Sequence, residues 1–424
     1  MRTMIALFGN RNFLKLFLAS FTSQMGGTIG ITALMFYLLN RYSEKPAYAT
    51  VTELMLSLPT LAVFFLVGVF ADRLDRQRVA KNCDWICAVL SILMLLALVI
   101  DVMPIVFTLL FLRGAVKSFF YPAQSSIVQG ILDEKEYPAA AGLNQMVASL
   151  FVLFGSGIGI ISYWSIGIEG AILIDALSFI ASGLLIHLCR ISEDIRLPNG
   201  KHSFKDLKIR LVLDDFKEGL LYIKRHKLLL TLVSGFVVFG ILNGGLSVMQ
   251  VFILKYKLSP TNYEEISIIL GFVFGSGVLA GSLLASSLSH KLKLQTILIS
   301  ALLAAGGATI LSSIVNNVWL YMLCTAGVAL AIPMINVAIG GWMPKIVDPK
   351  MMGRVQGCVN PLMMFSQTLT LLFIAALYPV ILTVESLYWL VGGCLIVVGF
   401  FYMIALPKFN ISTVNKTASS VLER

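Results

Sequence analysis

Glu53, Asp84, Arg113, Lys117 and Asp175 stand within long apolar stretches of the chain or at their ends. A charge in a membrane interior costs at least ~2.5 kcal/mol on insertion scales, so such residues usually have a partner or a task. The chemistry open to this set is proton exchange. An apolar cavity favours the neutral form of a carboxylic acid, and a neighbouring arginine favours the ionised form. A site that alternates between those surroundings can load a proton on one side of a membrane and release it on the other. Glu53 lies about six residues, and Arg113 about nine, from the outer ends of their runs; at ~1.5 Å per residue the depths differ by about 5 Å, which two long side chains can bridge. Glu53 with Arg113 is therefore the first candidate for proton coupling. Asp175 is the second, and its alternative role is to hold helices together near their outer ends. Lys117, one turn from Arg113 on the same face, balances one of these acids.

A second constellation is the stretch from Gly68 to Arg78, with five charges in the seven residues from Asp72 to Arg78. A dense charge cluster between two apolar runs is a tight loop at a membrane surface, and its arginines place it on the cytoplasmic side. Gly68 lets a neighbouring helix approach. Asp72 can accept from helix-start amides or pair with an arginine. Gly68, Asp72, Arg73, Arg76 and Arg78 are expected to form a conformational latch, with Asp84 anchoring the next helix beside it. Gly281 and the basic loop up to Lys293 repeat the plan 213 residues later without the acids, as a duplicated unit would.

Uncharged groups supply a third set. Asn144, Gln145, Phe239, Asn243, Gln250, Asn336, Asn360 and Gln367 can orient a polyfunctional ligand in an adaptable cavity lined by aromatic and methionine side chains. No phosphate-binding Gly-rich loop followed by Lys-Ser/Thr occurs, and the four histidines are scattered. No cofactor or metal is expected, and the chain is not expected to be an enzyme. All six cysteines fall in apolar spans or at their inner ends and are expected to be small core residues.

Elements that could position these residues follow from composition. Hydrophobic residues make up 58% of the 424 and charged residues 13%, with mean hydropathy +0.88. Soluble domains carry nearer a quarter charged residues, so this is an integral membrane protein. Twelve apolar runs of span length can be marked, near 13–39, 47–70, 80–100, 104–128, 139–164, 171–188, 228–253, 264–287, 294–315, 318–343, 355–378 and 386–406. The net charge of +10 does not indicate nucleic acid. Of the Lys and Arg residues only Arg41, Lys45, Lys255 and Lys257 fall in outer segments and Lys15, Arg113 and Lys117 in spans; the others lie inside. The predicted organisation is an N-terminal six-helix lobe over 1–189, a cytoplasmic linker with an interfacial helix over 190–227, a C-terminal six-helix lobe over 228–406, and a cytoplasmic tail over 407–424. In the linker helix, positions 216, 220 and 223 should share an apolar face.

With these features in place the chain resembles the major facilitator superfamily. The stretch Gly68 to Arg78 is similar to that family's signature loop between helices 2 and 3, with Asp75 where glycine is usual. Arg113 in span 4, Ile174-Asp175-Ala176-Leu177-Ser178-Phe179 in span 6, Asp215-Phe216-Lys217-Glu218-Gly219 in the linker and Gly353-Arg354-Val355 at the start of span 11 resemble the macrolide-efflux-like branch of the drug–proton antiporters. Val116 and Ser156 depart from that branch's patterns. The resemblance implies an all-α, twelve-helix, two-lobed fold in a bacterial inner or plasma membrane, with both termini cytoplasmic and a monomer as the working unit. It also implies proton-coupled, alternating-access export of a bulky amphipathic compound such as a macrolide-type antibiotic. The alternatives are export of an endogenous metabolite such as a siderophore, or a non-transporting receptor or scaffold on the same fold. The expected partners are a small-molecule substrate, protons and the lipid bilayer.

Overall fold

The structure is a computed structural model that describes residues 7–133, 136–197, 209–289, 291–347 and 351–408. The described residues are helical and contain no strand. They form two compact units, Met1–Leu213 and Asp214–Arg424, and the division falls inside the segment expected to be the linker.

The first unit holds α1 (Arg11–Arg41), α2 (Ala47–Arg73), α3 (Arg76–Val99), α4 (Met103–Lys117), α5 (Phe120–Ile131), α6 (Tyr137–His187) and the short α7 (Glu193–Arg196). The second holds α8 (Ile209–Arg225), which begins just before the division, α9 (Lys227–Ile253) with a π turn at Leu254–Leu258, α10 (Tyr263–Ser289), α11 (Leu294–Ile314), α12 (Val318–Ile346), α13 (Met352–Leu377) and α14 (Val384–Ala405). Among the described residues, ten segments are long and apolar enough to cross a membrane. One of them, Met146–His187, has 42 residues and would be about 60 Å long if straight. That is about twice a bilayer's hydrocarbon thickness. It bends back at Gly167, whose φ of 71° is a backbone state glycine adopts without steric cost. Counting its two arms separately and adding the 31-residue α1 gives the twelve runs marked from sequence. The fourth run is interrupted: α4 stops at Lys117 and α5 restarts at Phe120.

Helix α3 shows why these segments orient as they do. Ile86, Val89, Leu93 and Leu96 are exposed, while Ala80, Cys83, Asp84, Cys87, Ser91 and Met94 are buried. Both sets recur at three- and four-residue steps, so one face is wholly apolar and points outward, and the other gathers the small and polar groups inward. In lipid the apolar face is the solvated one, and small residues let helices approach. Gly277 of α10 does this on α12, where a β-carbon would stand 2.7 Å from that of Ala329. Helix α1 packs along α6, α3 lies against α4 and α6, and α2 lies against α4. In the second unit α9 packs on α13 and α14, and α12 on α10 and α11. Five of the six cysteines are buried.

Candidate functional site

Arg113 of α4 and Asp175 of the second arm of α6 meet in the middle of the first unit. The Arg113 Nη2 donates to Asp175 Oδ1 at 3.0 Å, and Nη1 lies 2.8 Å from Oδ2. Ser91 of α3 donates to Oδ2 at 2.7 Å. Arg113 is 1% and Asp175 0% exposed, so this is a dehydrated, charge-assisted contact. Phe179, one turn beyond Asp175, presents its ring to both bases, 5.1 Å from the Arg113 Cζ and 5.3 Å from the Lys117 Nζ, within cation–π range. Helix α1 leaves room for the cluster through glycines. A β-carbon on Gly30 would stand 2.9 Å from that of Asp175, and one on Gly27 would stand 2.7 Å from the Lys117 Nζ.

The expected pairing of Glu53 with Arg113 is not formed. Glu53 is half-buried on α2 and has no hydrogen bond or ion pair among the described residues. The reason is rotational. Gly114 is the residue of α4 that faces α2, where its β-carbon would meet Pro59 Cγ at 2.8 Å and the Met55 carbonyl at 3.0 Å. Successive helix residues are ~100° apart, so Arg113 points round towards α3 and α6. Among the described residues, Asp84 has its hydrogen-bond partners on α1 and α6. It is 2% exposed and accepts from Ser23 of α1 at 3.3 Å and from Ser182 of α6 at 2.5 Å. Lys117 makes no ion pair within 4 Å among the described residues, and its charged neighbours are Arg113, Asp175 and Asp84. Ser91 and Ser182 were not singled out from sequence. The signal was present for Ser91, which stands two turns after Asp84 on the same face of α3.

The charge cluster after α2 is tied to the start of the linker. Asp75 caps α3 by accepting from the Arg78 amide at 3.1 Å and lies 3.3 Å from the Arg78 Nε. It also pairs with Arg196 of α7, through Nε at 3.2 Å and through Nη2. Gln77 donates to the carbonyls of Ile186 at 2.8 Å and Cys189 at 2.9 Å, and Arg76 reaches the Ile195 carbonyl. Burial pushes the Asp75 carboxyl up, but hydrogen bonds from Arg196 and the Arg78 amide, with the charges of both arginines, outweigh it and hold the group below its ordinary value. The aspartate that departs from the family's glycine thus closes the contact to Arg196. Arg78 is exposed. The side chains of Gly68, Asp72 and Arg73 lie outside the described residues.

Each unit contains a cavity. That of the second unit has a volume of about 630 Å³ and brings together Phe239 and Asn243 of α9, Asn336 of α12 and Asn360 of α13, four residues marked from sequence, with Gln356, which was not. Gln356 is four residues before Asn360 and could have been found by that spacing. On α12 the lining recurs at Ile332, Ile335, Asn336, Ile339 and Met343, one face of a helix. The first unit's cavity, about 490 Å³, is lined by Asn144 together with Gln24, Gln124, Gln129 and aromatic rings of α1, α5 and α6. Gln250 and Gln367 do not line either cavity, and the Gln145 side chain lies outside the described residues. Gln367 is at the crossing of α13 with α9, where a β-carbon on Gly244 would stand 2.8 Å from its carbonyl.

A family model described as Major Facilitator Superfamily matches residues 16–369. The chain is 46% identical over 409 residues to an MFS-type transporter of Bacillus subtilis, YkuC, covering 96% of this chain and 95% of that protein. It is 23% identical over 380 residues to macrolide efflux protein A of Streptococcus pyogenes, covering 86% and 88%. Among solved structures, that of the nucleoside transporter NupG superposes with a TM-score of 0.72 at 14% identity, covering 94% of this chain and 99% of that one.

Proposed function

The chain belongs to the major facilitator superfamily, and on that footing we propose that it exports a bulky amphipathic compound by proton-coupled alternating access in a bacterial cell membrane. It is a multi-span membrane transporter and not an enzyme. The likeness to macrolide efflux proteins supports export over uptake. The observation that carries the coupling is the enclosed contact between Arg113 and Asp175. An ion pair sealed from water is stable only while its partners stay together. A movement that draws the arginine away obliges the carboxylate to take a proton, and its return releases that proton. Asp175 is then the carrier and Arg113 its counter-charge. Lys117 keeps the surrounding cluster in charge balance, and Ser91 fixes the carboxylate's orientation. Glu53, without an ion-pair partner among the described residues, is the second candidate carrier. The junction of α2 and α3 serves as a state-dependent latch. Gly68, Asp72 and Arg73 are on the last turns of α2 and Arg76 and Arg78 on the first turn of α3, so the stretch expected to be a loop is mostly helix ends.

The test is proton release from purified protein on addition of a macrolide that lacks a basic amino sugar and is uncharged, together with uphill efflux of that drug from proteoliposomes under an imposed pH gradient. Asp175→Asn should abolish both while the protein still binds the drug, and Glu53→Gln should retain both. Loss of release in Glu53→Gln with retention in Asp175→Asn would transfer the carrier to α2. Efflux that persists after the gradient is dissipated would remove proton coupling altogether.

A further inference from the structure

The two cavities share a chemical property that the coupling site does not. Their described lining residues include no Asp, Glu, Lys, Arg or His, whereas the first unit's buried charges are closed off, with Asp84, Arg113 and Asp175 at 2%, 1% and 0% exposure. In the second unit, Asn243, Asn336, Gln356 and Asn360 are exposed in the cavity, and their amides make no hydrogen bond to the described residues. A primary amide offers two donors and an acceptor with two lone pairs. Four such groups among Phe, Ile and Met side chains leave many donor and acceptor positions for a ligand and no fixed charge.

We infer that the second-unit cavity takes an uncharged amphipath, an apolar body bearing hydroxyl, carbonyl or amide groups, and discriminates against organic cations and anions. An ionised ligand group leaving water needs an opposite charge or a full set of hydrogen bonds, and burying it without them is costly. Neutral amides can hydrogen-bond an ammonium or a carboxylate but cannot neutralise it. A hydroxyl or carbonyl, by contrast, recovers its lost water contacts from a single amide. The volume of about 630 Å³ suits a ligand of drug size, and methionines such as Met343 and Met363 can repack around different skeletons. The inference rests on the transporter reading but not on its proton coupling.

Three fluorescent probes with one skeleton test it on the purified full-length protein in detergent: dansylcadaverine, which carries an ammonium; its N-acetyl derivative, which is neutral; and dansyl-6-aminohexanoate, which carries a carboxylate. The neutral probe should bind at least about tenfold more tightly than either ion. Asn336→Asp, or Asn360→Asp should the first variant fail to fold, should raise affinity for the ammonium about tenfold and leave the ranking of the other two unchanged. Equal or tighter binding of dansylcadaverine by the unmodified protein overturns the inference, as does failure of the neutral probe to bind. An unchanged ammonium affinity in the cavity variants also overturns it. Asp175→Asn should preserve the ranking. Loss of proton-driven export with the ranking intact would defeat the coupling mechanism alone, and a reversed ranking with export intact would defeat this inference alone.

Discussion

Gly30 of α1 and Asp175 of α6 touch so closely that a β-carbon on the glycine would stand 2.9 Å from the aspartate's own and 3.1 Å from its carboxyl carbon. The atoms it would meet are the base of a side chain held by Arg113 and Ser91, and they cannot swing aside. At Gly27 the atom in the way is the far end of a flexible lysine. Gly30→Ala should therefore lower stability by about 1–3 kcal/mol, and Gly27→Ala by clearly less. Thermal unfolding of the two purified variants in the same detergent decides this; equal losses would mean that α1 shifts as a body.

Removing one member of the buried pair strands the other. Asp175→Asn and Arg113→Met should each destabilise the protein by about 3–5 kcal/mol, and the double variant Arg113→Met/Asp175→Leu should recover much of that loss. Recovery should not extend to substrate-induced proton release, because the double variant has nothing at the site to ionise. A stable double variant that still couples would make the pair a structural brace.

Asp75 gives a pH dependence of known sign. Its carboxyl is held below the ordinary value in the folded protein, so its contribution is complete above the unfolded value of ~3.9 and is lost as the pH falls through the lower folded value. Hydrogen exchange over residues 186–197 should be about two- to fivefold slower in the unmodified protein than in Asp75→Asn at pH 7, as expected for a partly exposed pair of ~0.5–1 kcal/mol. The difference should shrink as the pH falls below the unfolded value of ~3.9 towards the lower folded one. A difference that did not shrink on acidification would assign the protection to Gln77 instead.

Helix α8 rests on the start of α13. A β-carbon on Gly219 would meet the Arg354 carbonyl at 2.6 Å and the Cys358 sulfur at 2.8 Å, Glu218 pairs with Arg354 at 2.9 Å, and the Cys358 thiol donates to the Phe216 carbonyl at 3.4 Å. Gly219→Val should lift the helix, expose Cys358 and speed its labelling by a maleimide by at least about tenfold, the factor that ~1.4 kcal/mol of lost docking would give. Unchanged labelling would show that the glycine serves only the linker's own conformation.

These contacts divide according to what a sequence can encode on its own. Apolar run length gave the spans, and the amides of the second-unit cavity were visible because Asn336 and Asn360 interrupt apolar faces. The partner of Arg113 was not readable, since depth along a helix can be counted but its rotation depends on where Gly114 packs. Linker helix α8 shows the same limit. Its expected face was 216, 220 and 223, yet Ile223 is buried while Leu220 is 47% exposed, because Gly219 turns inward to let α13 approach. Ser182 was silent for another reason: a serine on an apolar helix carries no signal until the carboxylate it bonds is known.

Asp84, Asp175, Arg113 and Lys117 form a small closed ledger of two negative and two positive groups in the first unit. With all four ionised they sum to zero, and a proton taken up by Asp175 leaves one uncompensated positive charge. Moving a unit charge through 100 mV involves ~2.3 kcal/mol, so on the proposed mechanism the membrane voltage, and not the pH difference alone, would act on a protonated Asp175. An interior-negative potential draws that charge inward, which is the direction proton-driven export requires.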